Sequence, residues 1–313
     1  MLFPRRSLSE RTFFAKRVFL LKKMLFIINP RAGKSKSLTP LLHAAAHFSD
    51  AGWLLRVCFT QSRGHARDLA AQCGAVFDAV VCAGGDGTLN ETISGLMTLP
   101  RRPAIGYIPF GSTNDFAASL RLPAQPEEAA QLIANGAPRP LDIGIHNDRH
   151  FAYVASFGAF TRSSYSAPQS AKNALGHFAY ILEGLKDLDS LRPYRCTVDT
   201  GEETFAGSFI FGGVCNSTSL GGVVKLDPAR VRMDDGKLEL LLLRMPKTPV
   251  DLQNLILALT KMQYDYPGVI FRHVEQLTLT TDDDLPWSLD GEFAPSQPRV
   301  EIRSLHHAID LLT

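Results

Sequence analysis

Residues 84–91 read Gly-Gly-Asp-Gly-Thr-Leu-Asn-Glu and follow the apolar run 79–83, which has the length of a buried β-strand. An apolar periodic stretch over 89–97 comes next, so the glycines lie where a strand turns into a helix. Glycine lets the backbone approach a ligand closely, and backbone N–H groups at a helix start bind anions. This segment therefore predicts a phosphate-binding loop.

Two further glycine segments occupy the same place in the pattern, NPRAGK at 29–34 and PFGSTNDF at 109–116. Because each follows a predicted strand, all three loops should meet at one edge of a parallel sheet. The hydroxyls of Thr88 and Thr113 would add contacts and cap the helices that follow. The P-loop pattern and the GxGxxG pattern are both absent, so these loops predict a nucleotide-phosphate platform of another type.

Strand-like and helix-like segments alternate from Met24 to residue 142. This alternation predicts a parallel sheet covered by helices on both faces, that is, a doubly wound three-layer α/β nucleotide-binding domain over 24–142. The predicted strands are 25–29, 54–60, 79–83 and 104–109, and the predicted helices are 37–49, 64–73, 89–97, 113–120 and 126–135.

Short strand-like runs separated by turns predominate after residue 142 and predict a second, mainly antiparallel β-sandwich domain over 143–302. Within it only 171–188 and 249–264 have helical character. The tail 303–313 is expected to return to the first domain and complete it. Residues 1–23 form a basic extension ahead of both domains.

Composition excludes several classes of protein. With 313 residues and 45% hydrophobic content, the chain can bury the cores of two domains. A net charge of +2 is too small to predict nucleic-acid binding by charge. The five cysteines lack zinc-site spacing, which favours free thiols in a reducing cytoplasm. The uncharged run 204–224 is rich in Gly, Ser, Thr and Asn, which does not indicate a membrane span.

Several motifs, in this order, resemble the diacylglycerol kinase catalytic-domain family of lipid kinases. Its soluble bacterial members are the most similar, and sphingosine kinases are more distant relatives. The resemblance extends from Met24 nearly to the end of the chain. It rests on NPRAG (29–33), TQSRGHARDLA (60–70), GGDGTLNE (84–91), GSTNDFA (111–117), NSTSLGGVVKLDPARVRMDDGKLE (216–239) and SLDGE (288–292).

This resemblance implies an ATP-dependent lipid kinase that transfers the γ-phosphate to a lipid hydroxyl, foremost converting diacylglycerol to phosphatidic acid with Mg²⁺. It implies that the following residues contact ATP: Asn29, Pro30, Arg31, Ala32, Gly33, Thr60, Gly84, Gly85, Asp86, Gly87, Thr88, Leu89, Asn90, Glu91 and Thr113.

The resemblance also implies two catalytic carboxylates. Glu292 would be the general base that takes the proton of the lipid hydroxyl, a task that suits a carboxylate within hydrogen-bond reach. Asp86 would help to hold the catalytic Mg²⁺ and the phosphates. In the sphingosine-kinase branch the matching aspartate is the favoured base, so Asp86 is the second candidate for that role.

A second, structural Mg²⁺ is implied for the β-rich domain. Its ligands would be the Asp235 side chain and the main-chain carbonyls of Arg232 and Lys237, since Mg²⁺ prefers oxygen ligands. Asp234 could take the place of Asp235. The alternative interpretation of this Asp-Asp-Gly segment is a solvated turn.

A lipid kinase must meet its substrate at a membrane surface, so the expected partners are a lipid substrate and a membrane that the protein contacts peripherally. No nucleic-acid partner is expected, and a homodimer is compatible with the sequence. In the extension, Phe14, Val18 and Leu21 share one helical face among basic residues, which is typical of an interfacial helix. The alternative is that 1–23 reflect an upstream start codon or a disordered tail. The 23 residues carry seven Lys/Arg and one Glu, so the remaining chain has a net charge of −4.

Two other functions stay open at this point. One is another kinase that shares GGDGT, such as a sphingoid-lipid kinase, a NAD kinase or a phosphofructokinase. The other is a non-catalytic nucleotide or lipid sensor on the same fold.

Overall fold

The computed structural model describes residues 22–33, 37–159, 191–220 and 224–313. The predicted helix 171–188, the amphipathic stretch 14–21 and Lys34 lie outside the described residues.

Strands and helices alternate through the first part of the chain, as the sequence predicts. Strands β2, β1, β3 and β4 lie side by side in that order and are parallel. The elements are β1 (Lys23–Ile28), α1 (Thr39–Asp50), β2 (Leu54–Phe59), α2 (His65–Cys73), β3 (Ala79–Gly84), α3 (Asp86–Leu96), β4 (Ala104–Pro109), α4 (Asp115–Ser119) and α5 (Pro126–Asn135).

Side chains of β1 alternate between two cores, because successive residues of a strand point to opposite faces. Met24 and Phe26 pack with residues of α1 and α5 on one face. Leu25 and Ile27 pack with residues of α2 and α3 on the other. The sheet is therefore covered on both sides, and the predicted three-layer α/β architecture is confirmed.

The remaining described residues are mostly antiparallel sheet around a second core that contains Phe157, Phe209 and Trp287. This confirms the predicted β-sandwich. Its elements are β5 (Pro138–His146), β6 (Arg149–Phe151), β7 (Val154–Gly158), β8 (Tyr194–Asp199), β9 (Thr204–Cys215), β10 (Ser219–Leu220), β11 (Val224–Lys225), β12 (Leu238–Arg244), α6 (Pro249–Thr260), β13 (Val269–Val274), β14 (Gln276–Thr281), β15 (Trp287–Leu289), β16 (Glu292–Ala294) and β17 (Arg299–Leu312). Among the described helices, none has the length and apolar character needed to cross a membrane.

Strand β17 belongs to both halves of the molecule. Its first part pairs antiparallel with β14, whereas Leu311 near its end pairs parallel with Ile105 of β4. Strand β5 runs antiparallel beside it on both sides of an irregularity between Leu305 and Ile309. The predicted domain boundary at 142 falls inside β5. Two shared strands therefore join the two halves through one continuous sheet.

The helices that follow the second and third glycine loops do not begin at the predicted residues. Helix α3 begins at Asp86 after an extended Gly85, three residues before the first apolar position at Leu89. Helix α4 begins at Asp115 after Asn114, which has a left-handed backbone. The predicted caps by Thr88 and Thr113 are wrong, because Thr88 lies inside the first turn of α3 and Thr113 lies ahead of the cap residue of α4.

Candidate active site

The three glycine loops meet at the carboxyl edge of the parallel sheet and line a cleft of about 400 Å³. The loop between β2 and α2 forms another wall. The lining residues are Asn29, Arg31, Ala32, Gly33, Thr60, Gln61, Ser62, Arg63, Gly85, Gly87, Thr88, Glu91 and Gly111. Nine of the residues predicted to contact ATP are thus brought together, whereas Pro30, Gly84, Asp86, Leu89, Asn90 and Thr113 are not among the lining residues.

Close backbone packing explains two of the glycines. A side chain at Gly111 would overlap the backbone of Gly85 in the neighbouring loop. Gly33 has a φ of +76°, and a Cβ there would come within 2.5 Å of the Phe110 carbonyl oxygen. The three loops therefore approach one another through their main chains.

The side chain of Asn29 joins the first loop to helix α3. Its amide donates to Thr88 Oγ1 at 2.9 Å, and its carbonyl oxygen accepts the Arg31 N–H at 3.0 Å. Both polar atoms of Asn29 are therefore engaged within the protein, and Thr88 is held toward the cleft.

Asp86 connects the second loop to the third. Its carboxylate accepts the backbone N–H groups of Asp115 at 3.1 Å and Phe116 at 3.3 Å, at the start of α4. Burial raises the pKa of Asp86, and these hydrogen bonds oppose the shift. Asp86 therefore has a structural task that the sequence did not reveal.

Asp115 is a second carboxylate beside Asp86 for which sequence reasoning assigned no role. Burial, and next the charge of Asp86, raise the pKa of Asp115 to about 7, while Lys225 opposes the shift. Two neighbouring carboxylates with raised pKa values are typical of sites that bind a cation or move a proton, although neither is among the residues that line the cleft. The sequence feature that could have indicated Asp115 is its position in the third glycine loop, four residues after Gly111.

Glu91 fixes the wall formed by the β2–α2 loop. Its two carboxylate oxygens accept the N–H groups of Gly64 at 2.7 Å and Ala66 at 3.2 Å. At the other end of this loop the Thr60 N–H donates to the Ile28 carbonyl at 2.8 Å. The backbone around Arg63 is therefore held at both ends.

Glu292, at the start of β16, faces the cleft from the β-rich domain. Its Oε1 accepts hydrogen bonds from Arg63 Nε at 3.2 Å and lies 3.0 Å from the second guanidinium nitrogen. Its Oε2 lies 3.6 Å from an Arg149 nitrogen, and 26% of the side chain is exposed. The sequence did not predict that either arginine contacts Glu292, because both lie far from it along the chain, Arg63 by 229 residues.

Asp290 stabilises the turn that carries Glu292. It is buried at a φ of +48°, and its carboxylate accepts the N–H groups of Ala152, Tyr153 and Val154. It also accepts the side-chain amide of Asn90. Burial raises the pKa of Asp290 to about 6 against these hydrogen bonds. Asn90, predicted to contact ATP, thus joins α3 to the β-rich domain.

The predicted structural magnesium site lies in the loop before β12. Asp235 is exposed and its Oδ1 accepts the Lys237 N–H at 3.0 Å. Asp234 is engaged by Arg139 at 3.3 Å and by Arg232 at 3.7 Å. Asp234 is therefore paired with two arginines, whereas the Asp235 carboxylate is exposed and accepts one backbone hydrogen bond.

Two buried oxygens near this loop, Glu239 Oε2 and Asn216 Oδ1, have no hydrogen-bond partner among the described residues. Burial raises the pKa of Glu239 to about 9, and the charges of Asp235 and Asp142 add to the effect. An excess of carboxylate oxygen with buried, unpartnered atoms suits a hard divalent cation. The carboxylate and carbonyl oxygens of this loop are thus of the donor type that Mg²⁺ takes, while the two unpartnered oxygens belong to residues outside the predicted ligand set.

Comparison with known proteins supports the resemblance over both halves of the chain. The family described as diacylglycerol kinase catalytic domain matches residues 23–145, and the one described as YegS C-terminal NAD kinase beta sandwich-like domain matches 154–313. The chain is 31% identical over 289 residues to the diacylglycerol kinase of Bacillus subtilis (strain 168), covering 92% of this chain and 95% of that protein.

A second relative is the diacylglycerol kinase of Staphylococcus saprophyticus, which is 30% identical over 278 residues that cover 88% of this chain and 91% of that protein. A crystal structure of a diacylglycerol kinase from Bacillus anthracis has a TM-score of 0.77 and 23% identity, with 94% of this chain and 97% of that chain covered. That structural likeness shows a shared fold.

Proposed function

The chain belongs to the diacylglycerol kinase catalytic-domain family and is a lipid kinase, and we propose that it phosphorylates the hydroxyl of diacylglycerol with ATP. The observation that carries this proposal is the convergence of three glycine loops on one cleft, with Glu292 facing them from the other domain. A phosphoryl donor and a proton acceptor would thus meet where the two domains adjoin.

Nucleotide binding would rest on the backbone of the three loops. Phosphoryl transfer needs positioning and charge neutralisation more than nucleophilic side chains. Gly85, Gly87 and Thr88 lie at the start of α3, where N–H groups and the helix dipole favour phosphate. Arg31 and Arg63 line the same cleft and would add positive charge.

Glu292 is our candidate for the general base. Its carboxylate is partly exposed, lies beside the cleft and has no backbone-capping task of the kind that engages Asp86. We therefore keep Glu292 ahead of Asp86 as the proton acceptor. Asp86 and Asp115 would hold the Mg²⁺ that accompanies ATP, which supplies neutralisation of the phosphate charge.

The second Mg²⁺ would bind at the loop before β12 through the Asp235 side chain and the carbonyls of Arg232 and Lys237. Its contribution would be structural, because this loop touches the shared strand β17 through His307, whose Nε2 lies 3.2 Å from the Asp234 carbonyl. Neutralising Asp235 would also relieve the charge next to Glu239.

The lipid would be taken from a membrane surface, and we propose a cytoplasmic enzyme that contacts the membrane peripherally. The experiment that tests the proposed function supplies the purified full chain with Mg²⁺, labelled ATP and one acceptor at a time in mixed micelles or in solution. The acceptors are diacylglycerol, sphingosine, monoacylglycerol and NAD. We expect label on diacylglycerol, whereas label on NAD alone would contradict a lipid kinase.

A further inference from the structure

Arg63 belongs to two sites at once. It lies in the β2–α2 loop, between two points where that loop is anchored, and it is one of the residues that line the cleft. Yet its guanidinium is paired with Glu292 of the other domain, and 74% of the Arg63 side chain is exposed. An exposed arginine at the cleft can pair either with the Glu292 carboxylate or with an anion bound in the cleft.

Arg63 contacts the Glu292 oxygen that would accept the proton of the lipid hydroxyl. Two nitrogens of Arg63 lie 3.2 Å and 3.0 Å from the single oxygen Glu292 Oε1. Arg63 Nε donates a hydrogen bond to this oxygen, and the other nitrogen makes an ion-pair contact with it. The other oxygen faces Arg149 at 3.6 Å. Arg63 therefore covers Oε1 and competes with the O–H of a substrate alcohol for that oxygen.

We propose that ATP competes with Glu292 for Arg63, so that Arg63 moves from the carboxylate to the nucleotide phosphates when ATP binds. This inference rests on the proposed function. Guanidinium groups bind phosphate and carboxylate with the same planar fork of donors, and the phosphates of ATP carry more negative charge than one carboxylate. Because the loop backbone is anchored, only the side chain has to rotate.

The exchange would make the base competent only when the phosphoryl donor is present. Once Arg63 leaves, Glu292 Oε1 accepts the proton of the lipid hydroxyl while Arg149 still orients the carboxylate. The hydroxyl oxygen forms a bond to the γ-phosphorus, the bond from that phosphorus to the bridging oxygen breaks, and ADP leaves with the electron pair. Arg63 would thus bind the nucleotide phosphates and, by leaving Glu292, free the carboxylate to act as the base.

The test measures Mg-ATP affinity by calorimetry, without lipid, for the full-length wild type, E292Q, R63Q and the double variant. Glu292→Gln removes the competing partner, so it should tighten Mg-ATP binding by about twofold to fivefold, the range set by a solvent-exposed ion pair. Arg63→Gln should weaken binding. In the R63Q background the same E292Q change should have no effect, because the contested residue is gone.

R63K serves as a conservative variant that keeps the charge and loses the fork of donors; E292Q should still tighten Mg-ATP binding in the R63K background. Thermal melting checks that each variant is folded. Unchanged or weaker ATP binding by E292Q would overturn the exchange, and equal tightening with and without Arg63 would show general electrostatics instead. If the wild type phosphorylates diacylglycerol but the effect of E292Q on ATP affinity does not depend on Arg63, only the exchange is refuted. If the wild type binds no ATP, the proposed function is refuted as well.

Discussion

The side-chain amide of Asn90, in helix α3, donates a hydrogen bond to the carboxylate of Asp290, 200 residues further along the chain. Helix α3 begins in the glycine loop that lines the cleft, and Asp290 lies two residues before Glu292. This one contact therefore ties the nucleotide loop to the turn that carries the candidate base.

Asn90→Ala should lower the free energy of unfolding by about 1–3 kcal/mol, because a buried carboxylate loses one of its donors. Urea unfolding measures the change. Asn135→Ala is the matched control, since that exposed amide contacts only its own helix, and it should shift stability by less than about 0.5 kcal/mol. Equal effects of the two changes would contradict a special role for the Asn90–Asp290 contact.

Gly87→Ala should separate nucleotide binding from stability. A Cβ at Gly87 meets nothing within 4 Å, and the residue lies in helix α3, so alanine should keep or raise stability by about 0.5–1 kcal/mol. If the loop backbone contacts phosphate, the added methyl should weaken Mg-ATP binding on the order of tenfold. Calorimetric titration and thermal melting measure the two effects.

Gly111→Ala is the contrasting variant, because its Cβ would overlap the Gly85 backbone. It should lose about 1–3 kcal/mol of stability as the two loops are forced apart. A stable G111A protein would argue against close packing of the two loops. A G87A protein with unchanged ATP affinity would argue against phosphate binding by the loop backbone.

Asp115→Asn should change how stability depends on pH. The pKa of Asp115 is about 7 in the folded chain, against about 3.9 in an unfolded one. The folded state therefore holds a proton that the unfolded state loses, so this contribution is full below about pH 4 and is lost as the pH rises through 7. D115N should gain stability relative to wild type between pH 5 and 8, by at most about 4 kcal/mol.

Urea unfolding at a series of pH values measures that change. The control is Asp282→Asn, an exposed aspartate in the loop after β14, which should run parallel to the wild type. If the D115N and wild-type stability curves stay parallel across this pH range, Asp115 titrates as an ordinary carboxylate.

Mg²⁺ should stabilise the fold through the loop before β12. We expect added Mg²⁺ to raise the Tm by about 2–5 °C and excess EDTA to reverse the rise, since a ligand bound only by the folded state shifts the equilibrium. Asp235→Asn should remove most of this response, and Asp282→Asn should retain it. A response of full size in D235N would place the cation elsewhere.

Local signals in the sequence predicted much of this structure. Hydrophobic periodicity distinguishes the strands from the helices, and glycines after three strands mark the edge where β1, β3 and β4 end. The start of α3 was predicted three residues too late, because the hydrophobic periodicity begins at Leu89 whereas the helix begins at Asp86.

Contacts between distant side chains could not be predicted in this way. Arg63 and Glu292 meet only because β15 and β16 are placed opposite the β2–α2 loop, and nothing local to TQSRGHA or SLDGE indicates that pairing. Similarly, the hydrogen bonds of Asp86 to the start of α4 depend on how two loops pack. The residue types at the cleft were thus predictable, whereas the tasks of Asp86, Asn90 and Glu91 were not.

The role of Glu292 in diacylglycerol phosphorylation is tested by following phosphatidic acid formation by mass spectrometry, with Mg-ATP and diacylglycerol in mixed micelles, for wild type, E292Q and E202Q. Glu202 is exposed in the turn before β9 and is the matched control. We predict that E292Q binds ATP and lowers kcat by a factor of about 10²–10⁴, the usual contribution of a general base, while E202Q matches the wild type. Wild-type turnover of diacylglycerol by E292Q would contradict Glu292 as the general base, and the absence of phosphatidic acid with the wild type would contradict diacylglycerol as the acceptor.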